Sequence, residues 1–107
     1  MMGLFLEEID EGLTVDLGSY HFTRDNILKF ARKYDPQPFH LSDEGGLAGP
    51  FGGLSASGWH TAAGWMRCFV EVNDLAREKL QAAGKTLPEV GPGPGFTNLK
   101  WLKPVYP

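Results

Sequence analysis

The chain has 107 residues, of which 42% are hydrophobic and 21% are charged, and its formal net charge is −3. This length and composition predict one small domain of ordinary globular character. The mild acidity leaves no basic patch for nucleic acid, and no apolar run approaches the roughly 18 residues of a membrane span. Nucleic-acid-binding and membrane-embedded classes are therefore not expected.

Cysteine usage and the N-terminal segment indicate the compartment. Cys68 is the single cysteine, so a disulfide framework is excluded and a reducing cytoplasm is expected. Residues 1–8 lack the basic segment and long apolar stretch of a secretory signal. The position of Cys68 within an apolar helical pattern predicts a structural role for it.

The first half of the chain predicts a strand followed by a helix. Residues 13–22 partly alternate apolar and polar side chains, which indicates a half-buried strand interrupted by Gly18. Thr23 is the predicted N-cap of a short helix that ends near Tyr34, because Pro36 disfavours helical geometry at the preceding residue. Residues 35–40 should then form an extended, proline-stiffened segment.

The second half predicts one long helix. A brief helical turn should begin at 42–44, followed by a glycine-rich stretch at 45–53 that matches neither a Walker motif nor a dinucleotide fingerprint. Apolar residues then recur at helical spacing from Trp59, and Ala83-Gly84 should end this helix. Its early part is apolar on nearly every side and should be buried. Residues 97–102 alternate and predict a second strand.

A carboxylate and an imidazole on the stiff segment are the first candidates for chemistry. Asp35 and His40 flank two prolines, and a rigid backbone fixes the side-chain directions that acid/base catalysis requires. A fully extended segment would hold the two groups apart, so the segment must bend for them to meet. Spacing alone favours the simpler interpretation, in which Asp35 caps a turn and His40 packs against it, because such a pair is common.

The entry of the long helix is the second candidate. Glycine-rich backbone before a buried helix offers free N–H groups and the positive end of the helix dipole, which suit an oxygen that gains negative charge. Gly58 lies at this entry, where a side chain would crowd a bound group, and Ser57 is a candidate cap beside it. His60, one turn inside the helix, is predicted to be structural.

These motifs together resemble the MaoC-like dehydratases, a family that includes (R)-specific enoyl-CoA hydratases. The family pattern of Tyr-Asp-x-x-Pro-x-His-x-Asp and a glycine at a helix entry is matched at the following positions: Asp35, Pro38, His40, Asp43 and Gly58. The resemblance covers residues from about 13 to 106. Ser57 and Trp59 depart from it, because His and Met usually flank this glycine.

The resemblance implies an α+β hotdog fold over residues 1–107, in which a curved antiparallel sheet wraps a long central helix. The family fold continues beyond a Lys-Pro-Val-Tyr-Pro stretch with further strands, so the hotdog domain is expected to be incomplete at the C-terminus. The family adds water to trans-2-enoyl thioesters or dehydrates (R)-3-hydroxyacyl thioesters, without a metal or redox cofactor. Coenzyme A or acyl-carrier protein would carry the acyl group.

The resemblance also implies roles for individual residues. Asp35 and His40 would hold one water between them and divide the transfer of its proton, with either residue as the base. The backbone N–H of Gly58 would bind the thioester oxygen, and Ser57 is the second predicted substrate-binding residue. Two alternatives stay open: a hotdog thioesterase that hydrolyses the same thioester, and a non-catalytic subunit that binds it.

A lone chain of this sequence is expected to expose much of the long helix. Two strands cannot cover it, and a contiguous exposed apolar patch is unusual for a soluble monomer. We therefore predict either a fragment of a longer protein or an obligate oligomer, with a homodimer expected from the resemblance. Light scattering after gel filtration, combined with intact mass, measures this directly. A cooperatively melting monomer with the mass of 107 residues would contradict the prediction.

Overall fold

The computed structural model describes residues 3–107 and contains four α-helices within that range. The first two residues, which belong to the segment predicted to lack a signal, lie outside the described part. A 3₁₀ turn at Leu6–Glu8 precedes the helices, which are listed in chain order: α1 (Arg24–Tyr34), α2 (Pro38–Leu41), α3 (Asp43–Ala48) and α4 (Gly58–Ala82). None of the described helices is long and apolar enough to cross a membrane.

The chain divides into two compact units. One unit comprises residues 3–19 and 66–97, and the other comprises residues 20–65 and 98–107. The second unit holds α1, α2, α3 and the first eight residues of α4. Its core consists of side chains from α1 and from the segment that leads into α4, namely Ile27, Leu28, Leu54 and Ala56, with Phe22 and Val105 packed against them.

Helix α1 begins and ends where the sequence predicts. The Thr23 hydroxyl oxygen accepts a hydrogen bond from the Asn26 N–H at 3.1 Å, which satisfies one of the free donors of the first turn. The helix ends at Tyr34, one residue before the Asp35-Pro36 step. Ile27 and Ala31 are fully buried, so this helix anchors the unit through one apolar face.

The segment after α1 was predicted to be extended. It instead folds into a helical turn. Pro38 is the first residue of α2, where its fixed φ angle suits a helix and its missing N–H costs nothing. The His40 N–H donates to the Gln37 carbonyl at 2.9 Å. This turn supplies the bend that Asp35 and His40 need in order to approach each other.

Neither predicted strand forms within the described residues. At residues 16–18 the Gly18 N–H donates to the Asp16 carboxylate at 2.8 Å, and Gly18 has a φ of 81°, so the chain turns there. Asn98 has a φ of 59°, which interrupts the second segment at its start. Neither segment has a neighbouring strand with which to share a backbone ladder. The antiparallel sheet of the expected fold is therefore absent from this part of the chain.

Helix α4 is continuous and ends at Ala82 before Gly84, whose φ is 72°. The prediction that its early part is buried is wrong for the described chain. Trp59, Trp65 and Met66 are 57%, 54% and 48% exposed. These are among the side chains expected to be uncovered in a lone chain, because the strands that would cover them are not formed.

The contact of α3 with the segment before α4 generates a stability prediction. A Cβ built on Gly46 would lie 2.5 Å from the Gly53 carbonyl oxygen and closer still to the Leu54 nitrogen, both of which are backbone atoms that cannot rotate away. Gly46→Ala should therefore lower the free energy of unfolding by about 1–3 kcal/mol in urea titrations. Gly93→Ala is the matched control, because its Cβ would meet nothing within 4 Å. Equal stabilities of the two variants would contradict this packing.

Candidate active site

Asp35 lies at the C-terminal end of α1, and the end of the helix positions it. Its N–H donates to the Ala31 carbonyl at 2.9 Å, while its φ of −151° and ψ of 70° have already left helical geometry. Pro36 prevents the helix from continuing. The Asp35 side chain is 17% exposed and lines a cavity in the second unit.

Both carboxylate oxygens of Asp35 accept hydrogen bonds. The Ser57 hydroxyl donates to Oδ2 at 2.7 Å, and the Gln37 side-chain amide donates to Oδ1 at 2.7 Å. The Ser57 bond joins the C-terminal end of α1 to the N-terminal end of α4. Hydrogen bonds to an ionised acceptor are short and strong, so the carboxylate is held in one orientation.

His40 is oriented by a main-chain carbonyl. It is 5% exposed, and its Nδ1 lies 2.6 Å from the Ser55 carbonyl oxygen. Because a carbonyl oxygen can only accept, Nδ1 is the donor of this hydrogen bond. A neutral His40 therefore carries its proton on Nδ1 and presents a lone pair at Nε2. Nε2 lies 3.4 Å from Asp35 Oδ2, so the two functional groups face each other.

The surroundings of Asp35 lower the pKa of its carboxyl group. Burial by itself raises this pKa, but the hydrogen bonds from Ser57 and Gln37 and the charge of a protonated His40 together outweigh burial. The net result is a pKa below the ordinary value for aspartate. Asp35 is consequently ionised at neutral pH and is a hydrogen-bond acceptor there.

The N-terminus of α4 supplies a free backbone donor next to this pair. The Ser57 hydroxyl oxygen caps the helix by accepting from the Trp59 N–H at 3.2 Å, and the Ser57 carbonyl accepts from the His60 and Thr61 N–H groups. The Gly58 N–H donates to no acceptor within the described part of the chain. It lies at the positive end of a 25-residue helix, where an anionic oxygen is stabilised.

A cavity of about 380 Å³ connects these groups. Asp35, Gln37 and His40 line it from α1 and α2, and Gly58 lines it from α4. The other lining residues are mostly apolar or lie on the C-terminal segment: Phe39, Phe51, Ser55, Ala56, Trp59, Thr61 and residues 100–105. The cavity is thus apolar around a few convergent polar groups, as small-molecule sites usually are.

The predicted site residues do not all line the cavity. Asp35, His40 and Gly58 line the cavity together. Ser57 is 1% exposed and is not among the lining residues, which places it behind Asp35 rather than at the cavity surface. Asp43 also lies elsewhere, in an exposed ion pair with Arg24 at 2.9 Å.

Three contributors to the site were missed by sequence reasoning. Gln37 lies inside the motif between Asp35 and His40, so its position alone could have drawn attention to its amide. The Ser55 carbonyl left no signal, because every residue has one. Trp101 came from a predicted strand far along the chain, and nothing in its local pattern pointed to the cavity.

His60 has a structural environment, as predicted. It is 4% exposed, stacks on the Phe30 ring at a centroid distance of 4.6 Å, and lies edge-on to Phe22 at 4.8 Å. Burial lowers the pKa of its imidazole, so it is neutral at physiological pH. It is not among the residues that line the cavity.

Comparison with solved structures shows which proteins this chain is similar to. The crystal structure of the MaoC-like dehydratase from Rhodospirillum rubrum superposes with a TM-score of 0.72 and 38% sequence identity, covering 98% of this chain. The resemblance to MaoC-like dehydratases is thereby confirmed, while the sheet of the expected hotdog fold is not formed within the described residues. A scan against protein-family models finds none that matches.

A second relative comes from the curated proteins. The uncharacterized protein YdeM of Bacillus subtilis strain 168 is 28% identical over 102 residues, which is 95% of this chain. The chain spans 64% of the length of YdeM and 64% of the length of the Rhodospirillum rubrum protein. The similarity therefore extends over nearly all of this chain and over somewhat less than two thirds of each relative.

The Ser57–Asp35 hydrogen bond generates a prediction about acid stability. A carboxyl group whose pKa is lowered by folding adds stability above its unfolded pKa, and this stability is lost as pH falls through the folded pKa. Ser57→Ala removes the donor, so the Asp35 pKa should rise in an NMR titration. The stability at neutral pH should fall by about 1.5–3 kcal/mol, with a smaller loss in acid, where Asp35 is protonated.

Ser42→Ala is the matched control for the Ser57 variant. The Ser42 hydroxyl caps α3 by accepting from the Gly45 N–H at 2.9 Å. Its removal should cost about 1 kcal/mol at both pH values and leave the Asp35 pKa unchanged. An unchanged Asp35 pKa in Ser57→Ala would show that this hydrogen bond does not set the ionisation of the site.

Proposed function

We propose that the chain is an acyl-thioester hydratase or dehydratase, which adds water to trans-2-enoyl-CoA or removes it from (R)-3-hydroxyacyl-CoA. The observation that carries this proposal is the approach of Asp35 Oδ2 to His40 Nε2, at 3.4 Å, on a cavity that Gly58 also lines. The likeness to the Rhodospirillum rubrum dehydratase supports the same reaction class.

His40 is the group best placed to move the proton. Its Nδ1 proton is engaged by the Ser55 carbonyl, so the Nε2 lone pair can take a proton from a water molecule in the cavity. The water oxygen then bonds to C3, and the electron pair of the C2–C3 double bond moves toward the thioester oxygen. The imidazolium returns the same proton to C2, so one water is consumed and His40 is regenerated. Dehydration is the reverse sequence.

Asp35 acts in this proposal as an ionised partner rather than as a proton donor. Its lowered pKa means that it carries no proton to deliver at neutral pH. Its negative charge, 3.4 Å from Nε2, stabilises the imidazolium that forms when His40 takes the proton. The remaining acceptor capacity of the carboxylate can hold the attacking water. Ser57 and Gln37 are positioning residues, because they fix the two carboxylate oxygens.

Gly58 supplies the stabilisation of the enolate-like oxygen. Its N–H is free and lies at the start of α4, so the helix dipole adds to the hydrogen bond. A single preorganised donor of this kind contributes on the order of 3 kcal/mol to transition-state stabilisation. The carrier of the acyl group is proposed to be coenzyme A or acyl-carrier protein.

We also propose a homodimer in the reducing cytoplasm. Trp65 and Met66 are about half exposed along α4, and a second copy would remove such apolar surface from water. Cys68 is a free, buried thiol, which is compatible with a reducing compartment.

Replacing the pair tests the proposal. Asp35→Asn and His40→Ala should each lower the turnover of crotonyl-CoA by about 10²–10⁴-fold, the usual contribution of a positioned acid/base group. Asp43→Asn is the matched control, because this motif aspartate pairs with Arg24 outside the cavity and should retain activity. Hydration is followed by the loss of enoyl absorbance, and free thiol is measured in parallel.

The outcomes separate this proposal from its alternatives. Near wild-type turnover in either variant would show that the acid/base assignment is wrong. Release of free thiol without loss of the double bond would identify a thioesterase. Saturable binding of crotonyl-CoA without turnover would identify a non-catalytic thioester-binding subunit.

A further inference from the structure

We infer that Trp101 is a specificity-determining residue, whose indole ring excludes acyl groups that carry a substituent on C2. This inference rests on the proposed function, because it concerns the thioester subsite of the same cavity. Trp101 and Gly58 both line that cavity, together with the Asp35–His40 pair.

The indole of Trp101 lies directly against the main chain of Gly58. A Cβ built on Gly58 would be 2.6 Å from Nε1 of Trp101 and nearer still to two ring carbons. Real Cβ atoms essentially never approach another atom this closely, so the ring occupies the space that any side chain at position 58 would need. The absence of a side chain at Gly58 therefore admits the indole, in addition to freeing the backbone for a ligand.

Trp59 contacts the same ring. The two indoles make an edge-to-face contact with a centroid distance of 5.5 Å and an interplanar angle of 76°. Such an aromatic pair contributes more stabilisation than its buried area alone would give. Both tryptophans line the cavity. Together they form an aromatic wall, which we define as Trp59 and Trp101, beside the N-terminus of α4.

The segment that carries Trp101 is fixed on its C-terminal side. The Ala56 N–H donates to the Val105 carbonyl at 2.8 Å, and the Tyr106 hydroxyl donates to the Phe51 carbonyl at 2.5 Å. Val105 also packs against the buried core cluster that includes Ala56. The indole is 47% exposed, and the segment that carries it is docked on its C-terminal side.

The position of the wall determines which part of a substrate it meets. An oxygen bound by the Gly58 N–H lies about 2.7–3.1 Å from that nitrogen. The thioester carbon is bonded to this oxygen, and C2 is bonded to the thioester carbon. Both atoms consequently lie beside the residue that Trp101 covers. A methyl group on C2 adds bulk at this place, and it can be accommodated only if the indole moves.

Paired substrates test this inference. Wild-type protein should hydrate crotonyl-CoA at least about tenfold more efficiently, in kcat/KM, than its 2-methyl homologue tiglyl-CoA, the range that one misplaced methyl group produces. Trp101→Ala should bring the two values close together, mainly through the KM of tiglyl-CoA. Trp101→Phe should be intermediate and keeps the test valid if the alanine variant folds poorly. Trp65→Ala, a tryptophan of α4 outside the cavity lining, should retain the wild-type preference.

A binding measurement distinguishes failure of the inference about Trp101 from failure of the hydratase proposal. Butyryl-CoA and 2-methylbutyryl-CoA are saturated, so calorimetry reports their affinity without any turnover. Tighter binding of butyryl-CoA by wild type, with the difference removed in Trp101→Ala, supports the wall even if crotonyl-CoA is not hydrated. Equal binding of the two ligands by wild type, or a preference unchanged in both Trp101 variants, overturns it. If neither ligand binds, both this inference and the proposed function are overturned.

Discussion

The hydrogen bond from the Ser57 hydroxyl to Asp35 is the interaction on which the rest of the site depends. It joins Asp35, the residue that follows α1, to the cap of α4, two residues that lie 22 positions apart in the sequence. The same hydroxyl oxygen receives the Trp59 N–H, so one small side chain closes the start of a helix and fixes a carboxylate. Because hydroxyl groups both donate and accept, serine can do this where aspartate could only accept. The catalytic geometry and the helix end are therefore held by one group and would be lost together.

The parts of the site that could be predicted from the sequence are those encoded locally. The Thr23 cap and the Asp35-Pro36 step set the two ends of α1 through interactions within a few residues, and both ends are found where they were predicted. Asp35 and His40 can approach each other only if the segment between them bends. The local sequence permits this bend without requiring it, and the helical turn that begins at Pro38 supplies it. The resemblance to the MaoC-like dehydratases carried more information than spacing, because it combined motifs that are weak when taken separately.

The parts that could not be predicted depend on contacts between distant residues. Alternating side chains at 13–22 favour a strand, but a strand exists only with a neighbour that shares its hydrogen bonds, and a local pattern cannot state whether one is present. The position of Trp101 against Gly58 follows from the docking of residues 98–107 and from no local rule. The exposure of Trp59 has the same origin. Helical spacing predicts which apolar side chains share a face of the helix, but it does not predict which other residues cover that face.

The carbonyl that holds His40 belongs to the main chain, and this has an evolutionary consequence. A substitution at position 55 can remove that acceptor only if it moves the backbone. The tautomer of the imidazole is therefore unaffected by changes of the side chain at this position. Asp35 has the opposite status, because both of its donors are side chains that a single codon change can delete. As such a site diverges in sequence, substitutions should therefore appear first among the residues that contact the carboxylate. The imidazole, by contrast, keeps its orientation for as long as the turn before α4 keeps its path.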